Sequence, residues 1–391
     1  MATRSFHLTV FSFFRTFAFT AAAAGVFAIG PAGAEPWDDL QDTATALSRP
    51  DEYAWKLFVS INWPADIAKR AANPSAKFGA DGPVVWETWK IAHDVFKPDG
   101  SDPGAWLDQV KPAVRELADF ETRPLQQIAR DAQLGIARPA FDPQAALTLT
   151  NETRLNKDAY EFVRSNTLYN LDGQNALAKQ GQLTISFPSR AKEIKAQWRQ
   201  ISEADKPRYH WTALKTPDGQ ERIYGLTALH ITTKDLPNWL WATFEHVDNP
   251  TRPGNEAWKL ESRDTFACPT KPFNCNLAPK GIGLEGTKWA NYRLRGTQVD
   301  FIDSRGSTTL LANSEPEEGF QATSSCITCH SRSTIGPTGN DRLDIFRPDG
   351  QSFNGSPDPN WFIIRDANSK QTGRYAQLDF VWSLFRARPK K

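Results

Sequence analysis

The sequence predicts an α+β fold, with a helical N-terminal part, a central antiparallel sheet and a C-terminal segment of loops and helices. Three observations predict it. Apolar residues recur at helical spacing between Asp51 and Trp63, period-two alternation sets in near Tyr209, and a stretch rich in Gly, Pro and Asp follows a close cysteine pair near residue 326.

Taken in order, Asp51 to Trp63 reads as a capped helix. Tyr53, Trp55, Leu57, Phe58 and Ile61 form its wide apolar face, and Pro64 stops it. Val84 to Phe96 mixes Trp with β-branched residues and suits strand or helix equally. Two to four polar helices are expected between Gly104 and Gly181, including Asn156 to Asn170. Leu183 to Phe187 reads as a short strand, and Ser189 to about Ile201 as a helix. Tyr209 to Leu214 and Arg222 to Thr232 flank Thr216-Pro217-Asp218-Gly219, which has the residues a hairpin turn demands. Trp239 to His246 is a third strand, and Tyr292 to Asp303 supplies one or two more. Asn313 to Phe320 is acidic and turn-like, so Glu315, Glu317 and Glu318 are expected in solvent, as are Asp218 and Glu221. An amphipathic helix near Gln377 to Ala387 closes the chain.

The chain has 391 residues, 40% of them hydrophobic, enough for a large core. Its 46 basic and 45 acidic residues nearly cancel, which disfavours a nucleic-acid binder, since that class carries a basic surplus. Residues 1–34 read as a cleavable signal peptide: Arg4 and Arg15 supply a basic start, Phe17 to Ile29 is apolar, and Ala32-Gly33-Ala34 offers a small-residue cleavage site. Its removal leaves 357 residues, takes the net charge from +1 to about −1, and removes Met1, the only methionine. No second apolar run reaches membrane-spanning length, so no membrane span is expected after cleavage, and the expected location is the periplasm or another exported compartment. The expected organisation is a signal peptide at 1–34, an α+β body at 35–315 and an attachment segment at 316–391 packed on the body as one unit.

Cys326-Ile327-Thr328-Cys329-His330 is a C-x-x-C-H motif, the attachment signature of haem c. Two thiols three residues apart lie on one side of a helical turn and can add to the two vinyl groups of haem. The next residue, His330, then offers its imidazole to the iron as proximal ligand. A thioredoxin-type dithiol is the alternative, but no βαβ pattern surrounds the motif. Zinc held by Cys268, Cys275, Cys326 and Cys329 is another. However, the six residues between Cys268 and Cys275 suit a disulfide in an oxidising compartment better than a zinc knuckle.

On Cys326, Cys329 and His330 the sequence resembles c-type cytochromes, closely over Ser324 to Gly336. More loosely, the whole chain is similar to large exported monohaem proteins of the cytochrome c family. The shared-looking pieces are Ala54-Trp55-Lys56-Leu57-Phe58-Val59, Trp241-Ala242-Thr243-Phe244-Glu245-His246 and Asp379-Phe380-Val381-Trp382-Ser383-Leu384. The resemblance implies one covalent haem c and no particular reaction. Small cytochromes c place a distal Met after the motif, whereas the 61 residues after His330 contain neither Met nor His. A sixth ligand must come from upstream, with His246 or His230 as the leading candidates and His93 and His210 behind them. Lys370 or Tyr375 is a rarer donor, or the position stays open. His230 and His246 flank one predicted turn, and a one-residue register change would move either to the opposite face.

Two functions from different classes follow. One is electron transfer with a periplasmic redox partner protein. The other is a haem enzyme, a peroxidase or oxidoreductase with an open or displaceable distal site, acting on peroxide or a small oxidisable substrate. A gas or redox sensor is a third.

Overall fold

In the computed structural model, which describes residues 35–108, 115–116, 149–216, 219–249, 261–317, 321–339, 341–343 and 354–391, helix formation begins with two successive helices, of which only the first, and not the expected second, has a side-chain cap. The Asp42 side chain accepts the Thr45 N–H at 3.0 Å and starts α1 (Thr43–Ser48). α2 (Pro50–Ile61) follows, with Pro50 in its first turn beside Asp51 and Glu52, where the helix dipole favours negative charge. Tyr53, Trp55, Leu57, Phe58 and Ile61 are all buried, as their spacing predicts. Val84 to Phe96 resolves into short pieces: a 3₁₀ turn at Val85–Thr88, the strand pair Lys90–Ile91 and a helical turn at Ala92–Val95.

The central sheet is antiparallel and holds β1 (Leu149–Leu155), β2 (Lys192–Gln200), β3 (Trp211–Lys215), β4 (Glu221–Thr233), β5 (Leu240–His246) and β6 (Tyr292–Gln298). Its order is β6-β5-β4-β2-β1 followed by Lys90–Ile91. β3 pairs with the start of β4, and Arg115–Glu116 runs parallel to β3. α3 (Lys157–Ser165) and α4 (Leu171–Lys179) lie between β1 and β2, each capped by an asparagine, Asn156 or Asn170.

Two expected helices are not helices. Ser189 to Ile201 contains β2: Ile194, Ala196 and Trp198 alternate with Glu193, Lys195 and Gln197, and pairing with β1 and β4 overrides the helix-forming Lys, Glu, Gln and Ala content. Gln377 to Ala387 is broken at Asp379 and Phe380, whose φ values of 48° and 68° place both in the left-handed region. Only the 3₁₀ turn Trp382–Arg386 forms beyond them. Leu183 to Phe187 makes a single bridge, Thr184 to Gln377, rather than a strand.

The sheet has two unlike faces. Ile194, Trp198, Leu229, Ile231 and Phe244 point to one side, where Phe58 and Trp55 of α2 meet Phe244 at ring-centroid distances of 4.4 and 4.9 Å. Lys195, His230, Trp241, Thr243 and Glu245 point to the other. The C-terminal segment lies over that polar face: Asn313 donates to Thr243 Oγ1 at 2.9 Å, the Ser314 N–H donates to Glu245 Oε2 at 2.9 Å, and the Ile327 N–H donates to Gln298 Oε1 at 3.0 Å. This polar covering stands where the acidic turn was expected in solvent. The Glu315 side chain is only 2% exposed, bonded to Thr227 at 2.5 Å and paired with Arg199 at 3.3 Å, and Glu317 is also largely buried. Glu221 is exposed as expected.

The described residues from Pro36 to Lys391 pack as one unit. The expected signal peptide, Asp218, Glu318 and any helices between residues 117 and 148 lie outside the described residues. Among the described residues no helix is long and apolar enough to cross a membrane.

Candidate functional site

The C-x-x-C-H motif forms α5 (Cys326–Ser331). Ser325 caps it, accepting the Thr328 N–H at 3.4 Å, and the Gln298 side chain of β6 donates to Ser325 Oγ at 2.8 Å. A strand of the sheet thereby fixes where the motif starts. Helical geometry then puts Cys326, Cys329 and His330 on one side of a single turn. Ser324, Ser325, Ile327, Thr328 and Ser331 are buried, whereas Cys326, Cys329 and His330 are half-buried and keep access to space beside the helix.

His330 is held from three directions. Its Nδ1 lies 2.8 Å from the Phe380 carbonyl. A carbonyl oxygen has no proton to give, so Nδ1 carries the hydrogen and the neutral ring leaves the Nε2 lone pair available. The ring stacks on Trp382 at 4.9 Å and 16°, and Trp241 tilts against it at 4.5 Å. Burial pushes the imidazole down to about 4, with the Lys195 charge adding to the effect and the Phe380 bond opposing it. At neutral pH His330 is therefore an uncharged base in fixed orientation.

The turn that aims the Phe380 carbonyl is strained. Two successive non-glycine residues in the left-handed region cost on the order of 1–3 kcal/mol each. Asp379 offsets this strain with two contacts, accepting Lys234 Nζ at 2.6 Å and the Phe187 N–H at 2.7 Å. Phe301, Phe362 and Phe380 line an adjoining cleft of about 290 Å³ that reaches Ser331, so apolar surface borders the motif.

Cys326 and Cys329 are thiols, not a disulfide. Burial, followed by the nearby Glu317 carboxyl, pushes the Cys326 thiol well above the ordinary range. Cys268 and Cys275 are joined in a disulfide with a Cα–Cα distance of 6.0 Å, within normal bridging range. The four-cysteine zinc set is therefore not assembled. Among the described residues no cluster of three or more His, Cys, Asp or Glu side chains is arranged to hold a bare ion.

The register of β4 against β5 separates the two leading distal candidates. His230 lies opposite Thr243 and shares the face of Trp241, the face on which the motif sits. His246, three residues beyond Thr243, projects to the other face. There it stacks on Tyr209 at 3.7 Å, and both nitrogens are occupied: Nε2–H donates to the Arg208 carbonyl at 3.1 Å, and Nδ1 accepts the Asp248 N–H at 3.3 Å. His230 Nε2 is buried without a hydrogen-bond partner, its nearest carboxylate atom being Glu317 Oε1 at 3.7 Å. Burial first, then the charge of Lys195, pushes His230 down to about 3, so it too is neutral. His210 bonds Glu87 at 2.9 Å and stacks on Trp289 on the α2 side. His93 is exposed, and Lys370 is exposed beside the Ile363–Arg365 and Gln371–Arg374 hairpin. Tyr375 donates to Asp341 at 3.2 Å.

Several residues around the motif escaped the sequence reading. The Phe380 carbonyl, Trp241 and Trp382 set the orientation of His330, and their positions depend on strand register and a left-handed turn. The segments that carry them do lie in the shared-looking pieces 241–246 and 379–384, which was the available signal. Lys195 and Glu317 were hidden by a strand read as a helix and a buried turn read as solvated.

The arrangement supplies two thiols and one neutral imidazole on a common side, with a second imidazole, His230, whose Nε2 has no hydrogen-bond partner, on the sheet face that the motif covers. These are the groups needed to bond a vinyl-bearing macrocycle twice and its metal on one or both sides. No protein-family model, curated protein or solved structure matches the chain.

Proposed function

We propose that this chain is a c-type cytochrome carrying one haem c, bound covalently through Cys326 and Cys329 with His330 as proximal ligand, and that it transfers electrons to and from a partner protein in an exported compartment. The observation that carries the reading is the state of His330. Its Nδ1–H is committed to the Phe380 carbonyl, its Nε2 lone pair is available, and its ring is clamped between Trp241 and Trp382. A hydrogen bond to a backbone carbonyl is how proteins orient a metal-binding histidine and raise its basicity.

A haem so bound supplies a one-electron couple at the iron. The chain's own residues supply the rest. Cys326 and Cys329 fix the position of the group, and the Trp241 and Trp382 rings exclude water from around the proximal imidazole. His230, with its unpartnered Nε2 on the same sheet face, is the distal candidate that the geometry favours over His246. A low-spin pair of imidazoles suits electron transfer, since no ligand needs to enter or leave.

A second reading, a haem enzyme with a displaceable distal group, draws on Glu317. Burial pushes this carboxyl up to about 7, and it lies 3.7 Å from His230 Nε2, where it can hold or give a proton near neutral pH. Absorption spectra of the ferric and ferrous protein, with and without carbon monoxide, separate the readings. Electron transfer with a His230 ligand predicts low-spin haem that ignores the gas in the wild type and high-spin, gas-binding haem in His230→Ala. The His246→Ala variant should keep the wild-type spectrum. A wild-type protein that binds carbon monoxide readily would favour the enzyme.

A further inference from the structure

We propose that Lys195 is an anion-binding post of the haem pocket, its ammonium group meeting a carboxylate carried by the haem itself, one of the two porphyrin propionates. The inference rests on the haem c reading above and goes beyond it by assigning a residue that neither attaches the group nor ligates its iron.

Lys195 lies on β2 directly opposite His230 in the register, on the sheet face that the motif covers. Its side chain is half-buried and has neither a hydrogen-bond nor an ion-pair partner among the described residues. Four other cations near this face are committed. Arg199 pairs with Glu315 at 3.3 Å, Lys234 with Asp379 at 2.6 Å, and Arg293 and Arg295 both approach Glu245. Glu317 directs Oε2 to the Asn313 N–H at 2.7 Å and Oε1 toward His230, and forms no ion pair with Lys195. The register position of Lys195 opposite His230 puts it on the wall of the sheet that a haem held by the motif would face. A partly desolvated cation without a counter-ion is costly, and a carboxylate delivered with the ligand removes that cost through a charge-assisted hydrogen bond. A porphyrin brings two such carboxylates. A small free carboxylate would offer the same chemistry, so the test must distinguish the two sources.

The test uses the full-length, haem-loaded protein as wild type, Lys195→Met and Lys195→Arg. Covalent loading is first checked by mass, then the reduction potential and the resonance Raman propionate bending band are measured with and without added acetate. Lys195→Met should lower the potential, because a cation beside the haem favours the reduced state, and should shift the propionate band. Lys195→Arg should restore both, and acetate should change nothing in the wild type. Loaded Lys195→Met with an unmoved band and potential would overturn the assignment. So would an acetate response that depends on Lys195 while the propionate band stays fixed, since that would give the post to an exogenous anion. Absence of any haem adduct in the wild type would instead overturn the haem c reading and this inference with it.

Discussion

His246 and His230 illustrate two ways to bury a histidine. His246 has both nitrogens hydrogen-bonded and its ring stacked on Tyr209, which is a complete structural role. His230 is equally desolvated at its Nε2 but unpaired there. The structural role carries a pH signature. Burial pulls the folded-state value of His246 down to about 4 from 6.5. Above about pH 7 the ring is neutral in both states and contributes no pH dependence. As pH falls through 6.5 toward 4, the unfolded chain takes up a proton that the fold refuses, and stability drops by up to about 3 kcal/mol from this group. Urea unfolding of wild type and His246→Gln should show the stability difference between them shifting in the variant's favour by that order between pH 7 and 4. A difference that stays constant with pH would contradict the assignment. At this scale a motif is legible only where spacing carries it: Cys326, Cys329 and His330 stand out because haem c attachment, as proposed, demands that order along one helical turn. The choice between His230 and His246 could not be read, because it depends on strand register, in which a shift of one residue reverses the face.

Whole elements were legible where local pattern and tertiary setting agree. The apolar stripe of α2 and the alternation of β4 and β5 are examples, since each buries the face its period presents. β2 shows the opposite case. Its Lys, Glu, Gln and Ala content favours a helix, yet Ile194, Ala196 and Trp198 alternate with charged residues, and pairing on both edges decides the outcome. The C-terminal turn failed for another reason. Its residues could have extended into a helix, but the left-handed Asp379 and Phe380 are held by Lys234, Phe187 and His330, all remote in sequence. The Cys268–Cys275 bridge could be anticipated because it closes a short local loop. It is separate from the motif, so its removal should affect stability and not haem attachment. Replacing both cysteines with Ala should lower stability by roughly 2–3 kcal/mol on the chain-entropy model. Chemical denaturation checks the size, and haem content should equal that of the wild type. Loss of haem loading in a variant that still folds would show that the two sites are coupled.

Across the whole molecule, one sheet does two jobs because its faces differ in composition. The apolar face packs on α2 with Trp55, Phe58 and Phe244 and supplies cohesion. The polar face carries Lys195, His230, Trp241 and Glu245, and the segment bearing the motif lies across it, bonded through Gln298, Thr243 and Glu245. This arrangement gives a physical reason for so long a chain ahead of the C-x-x-C-H motif. Cys326, Cys329 and His330 come late in the chain, whereas Trp241, which packs on the His330 ring, comes from a strand formed much earlier. The α+β character was readable from the order of the periodicities. The allocation of the two faces was not, because it required every register at once.

On the proposed reading Cys326 and Cys329 hold a haem and His330 faces its iron. The most direct test is mass spectrometry of the mature protein, purified from the exported fraction of cells able to attach haem c, with proteolytic mapping of the peptide that contains the motif. The expected result is a single haem adduct on that peptide, joined at both cysteines, with no adduct elsewhere. The same peptide recovered with two unmodified thiols, or carrying zinc in place of haem, would contradict it.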